Sequence, residues 1–298
     1  MKKLLSVLLV AAMALMLCVP AMAEGDYSIA VIMKASADAS AYWATVAGGC
    51  ENAGTMMNVN VTVTGPAAET EVDEQVAMIT EAIANGANAL VIAPLDDAAV
   101  NAALEGYEGV VIYMDTKGTY EKAAATVMTD NTSAAMSGAV YGLSAHEIDS
   151  TVAMIVYGQE GDSTSAARKD GYEQVLYMNG LEPVAEVSGN NTTADTEAAV
   201  TAALVEHPEV NLILCHNDDT AIGALNAVKA AGLTDVTIMG FDGTADALAL
   251  VESGELYGTV SQEANYIGYL AVQSAALACD GEHVPANLYI NTDVIGNY

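Results

Sequence analysis

The sequence predicts an α/β fold made of two similar lobes, each a doubly wound parallel sheet with helices on both faces. Three observations carry this expectation. Short apolar runs alternate with stretches of helical period along the whole chain, the pattern of βαβ units. About eleven such runs occur in the 298 residues, and two sheets of five to six strands accommodate them better than one. Finally, LVIAPLDDAAVNAAL (90–104) aligns with LILCHNDDTAIGALN (212–226) as an internal repeat. In both copies a buried strand runs to a polar stop, and paired aspartates open an alanine-rich helix.

The elements follow in order. Tyr27–Met33 is a strand and Lys34–Ser40 a polar loop, followed by the helix Ala41–Met57 and the alternating strand Val59–Thr64. Glu69–Asn85 is a helix with Val72, Val76, Ile79 and Ile83 on one face, closed by Gly86. Ala89–Ala93 is a buried strand stopped by Pro94, and Asp96-Asp97 caps a short helix to Leu104. Strands Gly109–Met114 and Ala124–Met128 end at Asp115 and at Thr129-Asp130-Asn131. The pattern then restarts. Helices are expected at Thr132–His146, Ser163–Asn179 and Thr193–Glu206, with strands Val152–Tyr157 and Val184–Val187 between them. Strand Leu212–Cys215 ends at His216–Asp219, and its helix runs to Gly232. Strand 236–241 ends at Asp242-Gly243. Helix Ala245–Ser253, strand Tyr257–Ser261 ending at Gln262, helix Tyr266–Cys279 and a last strand Leu288–Val294 complete the chain.

Residues 1–23 read as a secretory signal: Lys2-Lys3, an apolar core Leu4–Val19, and the small-x-small site Ala21-Met22-Ala23. Cleavage there removes Cys18, so lipid anchoring at that cysteine is not expected, and the chain is expected outside the cytoplasm. Eight Lys and Arg stand against 39 Asp and Glu, a net charge of −31. Such a surface repels phosphate backbones, so no nucleic-acid partner is expected. The three remaining cysteines make no even framework.

No dinucleotide fingerprint, phosphate-binding lysine loop, zinc-protease helix, nucleophile elbow or calcium loop occurs, so neither cofactor nor metal is expected. Recognition of a neutral polyol fits better. Carboxylates take hydroxyl protons, guanidinium feeds hydroxyl oxygens, side-chain amides do both, and aromatic rings cover C–H faces. The chain supplies such a set. Arg168 is its only arginine, at a strand-to-helix junction beside Ser163-Thr164-Ser165. Trp43 is its only tryptophan, next to Tyr42 at the first helix start. Asp115, Asn217, Asp242 and Gln262 follow expected strands, at the end of a parallel sheet where ligands bind. Asp218-Asp219 reads mainly as a helix cap.

With these residues in place, the chain resembles the periplasmic sugar-binding proteins of the ribose-binding type. TSAARKDGY (164–172), HNDDTAIGAL (216–225) and MGFDGT (239–244) carry the likeness, supported by TDN (129–131) and TVSQ (259–262). The resemblance implies a type I periplasmic-binding-protein fold, two lobes joined by a three-crossover hinge and closing on a monosaccharide. It implies a signal segment 1–23, a first lobe of 24–131 plus 263–285, and a second of 132–262 plus 286–298. It implies sugar contacts at Tyr42, Trp43, Asp115, Arg168, Asn217, Asp242 and Gln262. It also implies a small-molecule sugar and an ABC transporter permease as partners, a monomeric binding protein and no enzyme activity. The chain departs from the ribose pattern at Thr116, at Ala93 and at Asn190–Thr193, where an arginine, an asparagine and an aromatic are expected. These departures leave room for a different or larger ligand. The alternatives are a domain sensing a sugar or autoinducer for a membrane receptor, and a sugar-modifying enzyme on the same scaffold.

Overall fold

The computed structural model describes residues 27–296. The expected signal segment, its cleavage site and Cys18 lie outside the described residues. Along the first lobe run β1 (Ser28–Ile32), α1 (Ala41–Met57), β2 (Asn60–Thr64), α2 (Val72–Ala84), β3 (Ala89–Ile92), α3 (Asp97–Ala103), β4 (Val110–Met114) and β5 (Ala125–Thr129). The second lobe holds α4 (Asn131–Leu143), β6 (Ala153–Tyr157), α5 (Ser163–Met178), β7 (Ala185–Ser188), α6 (Thr193–Glu206), β8 (Leu212–Cys215), α7 (Asp218–Ala230), β9 (Thr237–Asp242), α8 (Ala245–Glu252) and β10 (Gly258–Ser261). The chain ends with α9 (Ala264–Cys279), β11 (Asn287–Ile290) and β12 (Asp293–Gly296).

The strands form two six-stranded sheets, ordered β11-β5-β4-β3-β1-β2 and β12-β10-β9-β8-β6-β7. Every pairing is parallel except β10 with β12. Sequential strands step outward from the middle of each sheet and then return to its other side. Parallel strands need a crossover, and the helices supply it on both faces.

The chain passes between lobes three times: after β5, after β10, and between β11 and β12. The last passage corrects two expectations, a single final strand 288–294 and the placing of 286–298 in the second lobe. Instead β11 pairs with β5, placing Asn287 opposite Thr126, and only β12 joins the second sheet. The apolar pattern marks this stretch as strand, but it does not encode which free sheet edge accepts each half.

Alternation along each strand divides the core. In the first lobe Ile29 and Val31 pack with Val46, Ile267 and Ala271 under α1 and α9. Ile32, Leu90 and Tyr113 pack on the opposite face with Ile79, Val100 and Leu104. The second lobe repeats the arrangement, with Ile213 and Val156 facing Val200 and Ala224, and Leu214 and Phe241 facing Tyr172 and Ala135. Both sheets are therefore covered twice, which leaves the carboxyl ends of their strands as the surface available to a ligand. No helix among the described residues is long and apolar enough to cross a membrane.

Candidate functional site

All seven sequence-predicted residues line one cavity between the lobes. Ser40 caps α1, and its hydroxyl accepts from the Trp43 amide, so Tyr42 and Trp43 occupy the first turn. Their rings meet edge to face, 5.1 Å between centroids. The Tyr42 hydroxyl donates to Asp115 Oδ1 at 2.6 Å, and Thr116 donates to Oδ2 at 2.8 Å. Burial, then the adjacent Asp115 carboxylate, push the Tyr42 hydroxyl well above its ordinary pKa, so it remains a donor.

Arg168 faces this wall from the second turn of α5. Its Nε donates to Asn131 Oδ1 at 2.8 Å and one terminal nitrogen to the His216 carbonyl at 2.7 Å. The guanidinium carbon lies 3.7 Å from the centroid of Phe241, the chain's only phenylalanine. Stacking and a fixed fork hold the only arginine in one orientation. Asp242 Oδ1 lies 3.6 Å from that guanidinium and accepts from Gln262 Nε2 at 2.5 Å. Burial pushes the Asp242 carboxyl well above the usual range, although Arg168 opposes the shift.

Asp115 and Asp242 share a backbone property. Their φ angles are +64° and +122°, in the region that favours glycine. Residues held there cost free energy and cluster at functional sites. Here the turn aims each carboxylate out of the strand end and into the cavity.

Asn217 serves two purposes. It is the N-cap of α7: its Oδ1 accepts from the Thr220 amide, and Thr220 Oγ1 accepts from the Asn217 amide, both at 2.9 Å. Capping occupies its oxygen and leaves its Nδ2 for the cavity. The expectation that Asp218-Asp219 forms the cap is therefore corrected. Asp218 turns inward, and its carboxylate accepts from Thr259 Oγ1 and from the amide and hydroxyl of Thr244.

The sequence reading missed six further residues of the cavity wall: Lys34, Glu69, Asp162, Thr164, Asn191 and His216. Lys34 Nζ bonds Asp162 Oδ2 across the lobes at 2.6 Å, with side chains only 5% and 10% exposed. Burial alone would raise the Asp162 carboxyl, but the Lys34 ammonium beside it and the Thr164 amide bring it below the usual carboxylate range. For Lys34, burial is outweighed by Asp162, Asp115 and Glu69, and its pKa rises. Glu69 accepts from Trp43 Nε1 at 2.8 Å and from Asn191 Nδ2 at 2.7 Å. His216 is kept neutral by burial and by Arg168, and its Nδ1 has no partner. Gly158 packs flat against its ring, where a Cβ would stand 2.6 Å away. A polar residue directly after an expected strand is the signal that marks Asp115 and Gln262. The same signal marks Lys34 and His216. No group of three or more His, Cys, Asp or Glu among the described residues is placed to hold a metal.

The chain belongs to the periplasmic binding protein domain family, whose profile matches residues 29–283. It is 25% identical over 300 residues to the ribose import binding protein of Escherichia coli (strain K12), covering 99% of this chain and 98% of that one. With the ribose import binding protein of Bacillus subtilis (strain 168) it shares 28% identity over 220 residues, 73% of this chain and 71% of the relative. Among solved structures, a carbohydrate transporter solute-binding protein from Agrobacterium radiobacter in complex with D-arabinose superposes with a TM-score of 0.84. That pair is 25% identical over 93% of this chain and 95% of the other. A periplasmic solute-binding protein of an ABC transporter from Actinobacillus succinogenes 130z with bound D-allose shares the fold at a TM-score of 0.84. Its identity is 24%, over 91% of this chain and 98% of that one. The chain is thus a solute-binding protein of the ribose-binding type, the kind that serves ABC importers.

Proposed function

We propose that the chain captures a neutral monosaccharide or similar polyol outside the cytoplasm and presents it to the permease of an ABC importer. The observation that carries this reading is convergence. Tyr42, Trp43 and Asp115 from one lobe meet Arg168, Asn217 and Asp242 from the other, with Gln262 at a crossover, around one cavity. The set is complementary to hydroxyls: Asp115 and Asp242 accept, Arg168 donates, and Asn217 and Gln262 carry amides. Trp43 and Tyr42 offer ring faces and edges to C–H surface.

Carboxylates outnumber cations around the cavity even without the buried Asp242, with Glu69, Asp115 and Asp162 against Lys34 and Arg168. That balance repels a sugar phosphate and favours a neutral ligand. Because the contacts come from both lobes, ligand is held fully only when the lobes are closed. Its differential affinity for that state drives hinge closure about the three crossovers. The protein works as a monomer after its signal segment is removed, without catalysis.

A thermal-shift screen over pentoses, hexoses, deoxy sugars and polyols tests the reading. A ligand at about 100 times its Kd adds about 2.7 kcal/mol of stability. In Asp242→Ala the bound sugar loses a buried hydrogen-bond partner, at a cost of about 1–3 kcal/mol of binding measured by calorimetry. A melting point that no sugar moves overturns the reading, and full affinity in Asp242→Ala overturns the assigned cavity.

A further inference from the structure

We propose that two bridges between the lobes, Lys34–Asp162 and Glu69–Asn191, are specificity-determining: they bar the outer edge of the cleft and confine the ligand to a single ring. The inference rests on reading the cleft as a sugar site. Sheet order locates the bridges. The crossovers leave and enter beside β5, β11, β10 and β12, which lie at one edge of each sheet. β1 and β2 lie toward the far edge of the first sheet, and β6 and β7 toward the far edge of the second. Lys34 follows β1 and Asp162 follows β6, while Glu69 follows β2 and Asn191 follows β7. The bridges therefore join corresponding strand ends of the two lobes, in matching order, on the side away from the hinge. Asp115, Asp242 and Gln262 end β4, β9 and β10, on the hinge side.

The chemistry of the bars suits exclusion better than attraction. The bonds are 2.6 Å and 2.7 Å long, and the ion pair is almost fully enclosed. Desolvation offsets part of the attraction in a buried pair, and a surplus favouring closure remains because the carboxylates around Lys34 outweigh its burial. A ligand substituent that separates the pair leaves two buried charges unmatched, which is strongly unfavourable. Specificity often rests on such penalties against the wrong partner. Both bars are braced. Asp162 also accepts from the Thr164 amide at 2.7 Å, and Glu69 is fixed by Trp43 Nε1 at 2.8 Å. Asn191 holds a φ of +59°, and its Oδ1 accepts from the Gln159 amide at 3.2 Å. No side chain of the ring-binding set on the hinge side hydrogen-bonds to Lys34 or Asp162.

The test compares wild type with Lys34→Ala/Asp162→Asn and with Asn191→Gly. The double variant removes the ion pair without leaving a lone charge and keeps a capping side chain at position 162. Glycine at 191 keeps the left-handed backbone, so this variant stands in if the double variant fails to fold. Calorimetry is run with the monosaccharide found in the thermal-shift screen, its O-benzyl glycosides and disaccharides containing it. The bars predict that wild type rejects the substituted ligands and that the variants narrow this discrimination by about tenfold or more. Equal discrimination in all three proteins overturns the inference, as does a wild type that binds a glycoside as tightly as the free sugar. If no sugar binds wild type, the reading of the cleft as a sugar site fails, and small-angle scattering of the ligand-free proteins decides the bars. A larger radius of gyration in the variants than in wild type then supports interlobe closure by these pairs, and equal radii overturn it.

Discussion

The paired aspartates at the head of α3 and of α7 occupy aligned positions, yet the two lobes use them differently. In the first lobe Asp96 is the cap: it lies outside the helix, and its Oδ1 accepts from the Ala99 amide at 2.8 Å. In the second, Asn217 takes the cap and the helix starts one residue earlier in the alignment. That shift carries Asp218 inside the lobe, where it is 1% exposed. Its two oxygens accept from Thr259 and Thr244, tying the head of α7 to β10 and to the loop after β9. Gly240 makes the room, since a Cβ there would stand 2.4 Å from Asp218 Oδ1. Asp97 is only partly buried, bonds to Thr119, and leaves one oxygen without a partner. One residue of register thus converts a helix cap into a bracket that holds three strand ends of the second lobe together. Those strand ends carry Asn217, Asp242 and Gln262.

The sharpest way to break this comparison is to remove the carboxylates. Asp218→Ala leaves the Thr244 amide and two hydroxyls without their charged acceptor and opens a buried void. A loss of about 3–5 kcal/mol is expected from buried groups of this kind. Asp97→Ala, at the aligned helix head, is expected to cost less than about 1 kcal/mol, as for a partly exposed polar group. Urea unfolding of the two variants measures the difference. Similar costs at both sites would mean that the bracket carries no special load.

The same register shift shows what was legible in the sequence and what was not. The two-lobe α/β architecture was readable because strand and helix periods are local properties. The hinge-side wall was readable because Asp115, Asp242 and Gln262 each directly follow an apolar run. Asp218 reads as a cap in sequence because both residues of an Asp-Asp pair satisfy the local rule. Only the contacts with Thr244 and Thr259, 26 and 41 positions away, decide between them. Glu69 and Asn191 escape notice for a related reason. They lie in loops whose polarity needs no explanation locally, and their importance comes from meeting across 122 positions of chain. The division of the last strand between lobes was likewise settled by which sheet edges stood free, information that no window of sequence contains.

Titration sharpens the comparison further. Burial pushes the Asp218 carboxyl up to about 6, although its hydrogen bonds oppose the shift. The folded state then holds a proton that the unfolded chain has already released. The contribution of Asp218 to stability therefore falls by about 2 kcal/mol as pH rises from about 4 to about 6. Asp162 works in the opposite sense, since its folded carboxyl lies below the usual range. Its contribution is present above the unfolded value and is lost only at more acidic pH, outside this window. Asp218→Asn is expected to flatten the dependence between pH 4 and 6, and Asp97→Asn to flatten it much less. Unfolding midpoints at four pH values measure both slopes. An unchanged slope in Asp218→Asn would place the titrating group elsewhere.

The smallest expected difference separates the two caps themselves. Asp96→Ala and Asn217→Ala each remove one side-chain acceptor from a helix start, at about 1 kcal/mol apiece. The second helix retains part of its box, because Thr220 Oγ1 still accepts from the amide at position 217. In ligand-free denaturation the two variants should therefore look alike. They should part only when a sugar is present: Asn217 lines the cavity and Asp96 does not. The melting-point shift on adding sugar is expected to shrink in Asn217→Ala and to keep its full size in Asp96→Ala. If both variants keep the full shift, Asn217 is a cap alone and the second lobe meets its ligand through Arg168 and Asp242. If both lose it, the cap in the first lobe governs the geometry of the cleft, and the two helix heads are more alike in function than their contacts imply.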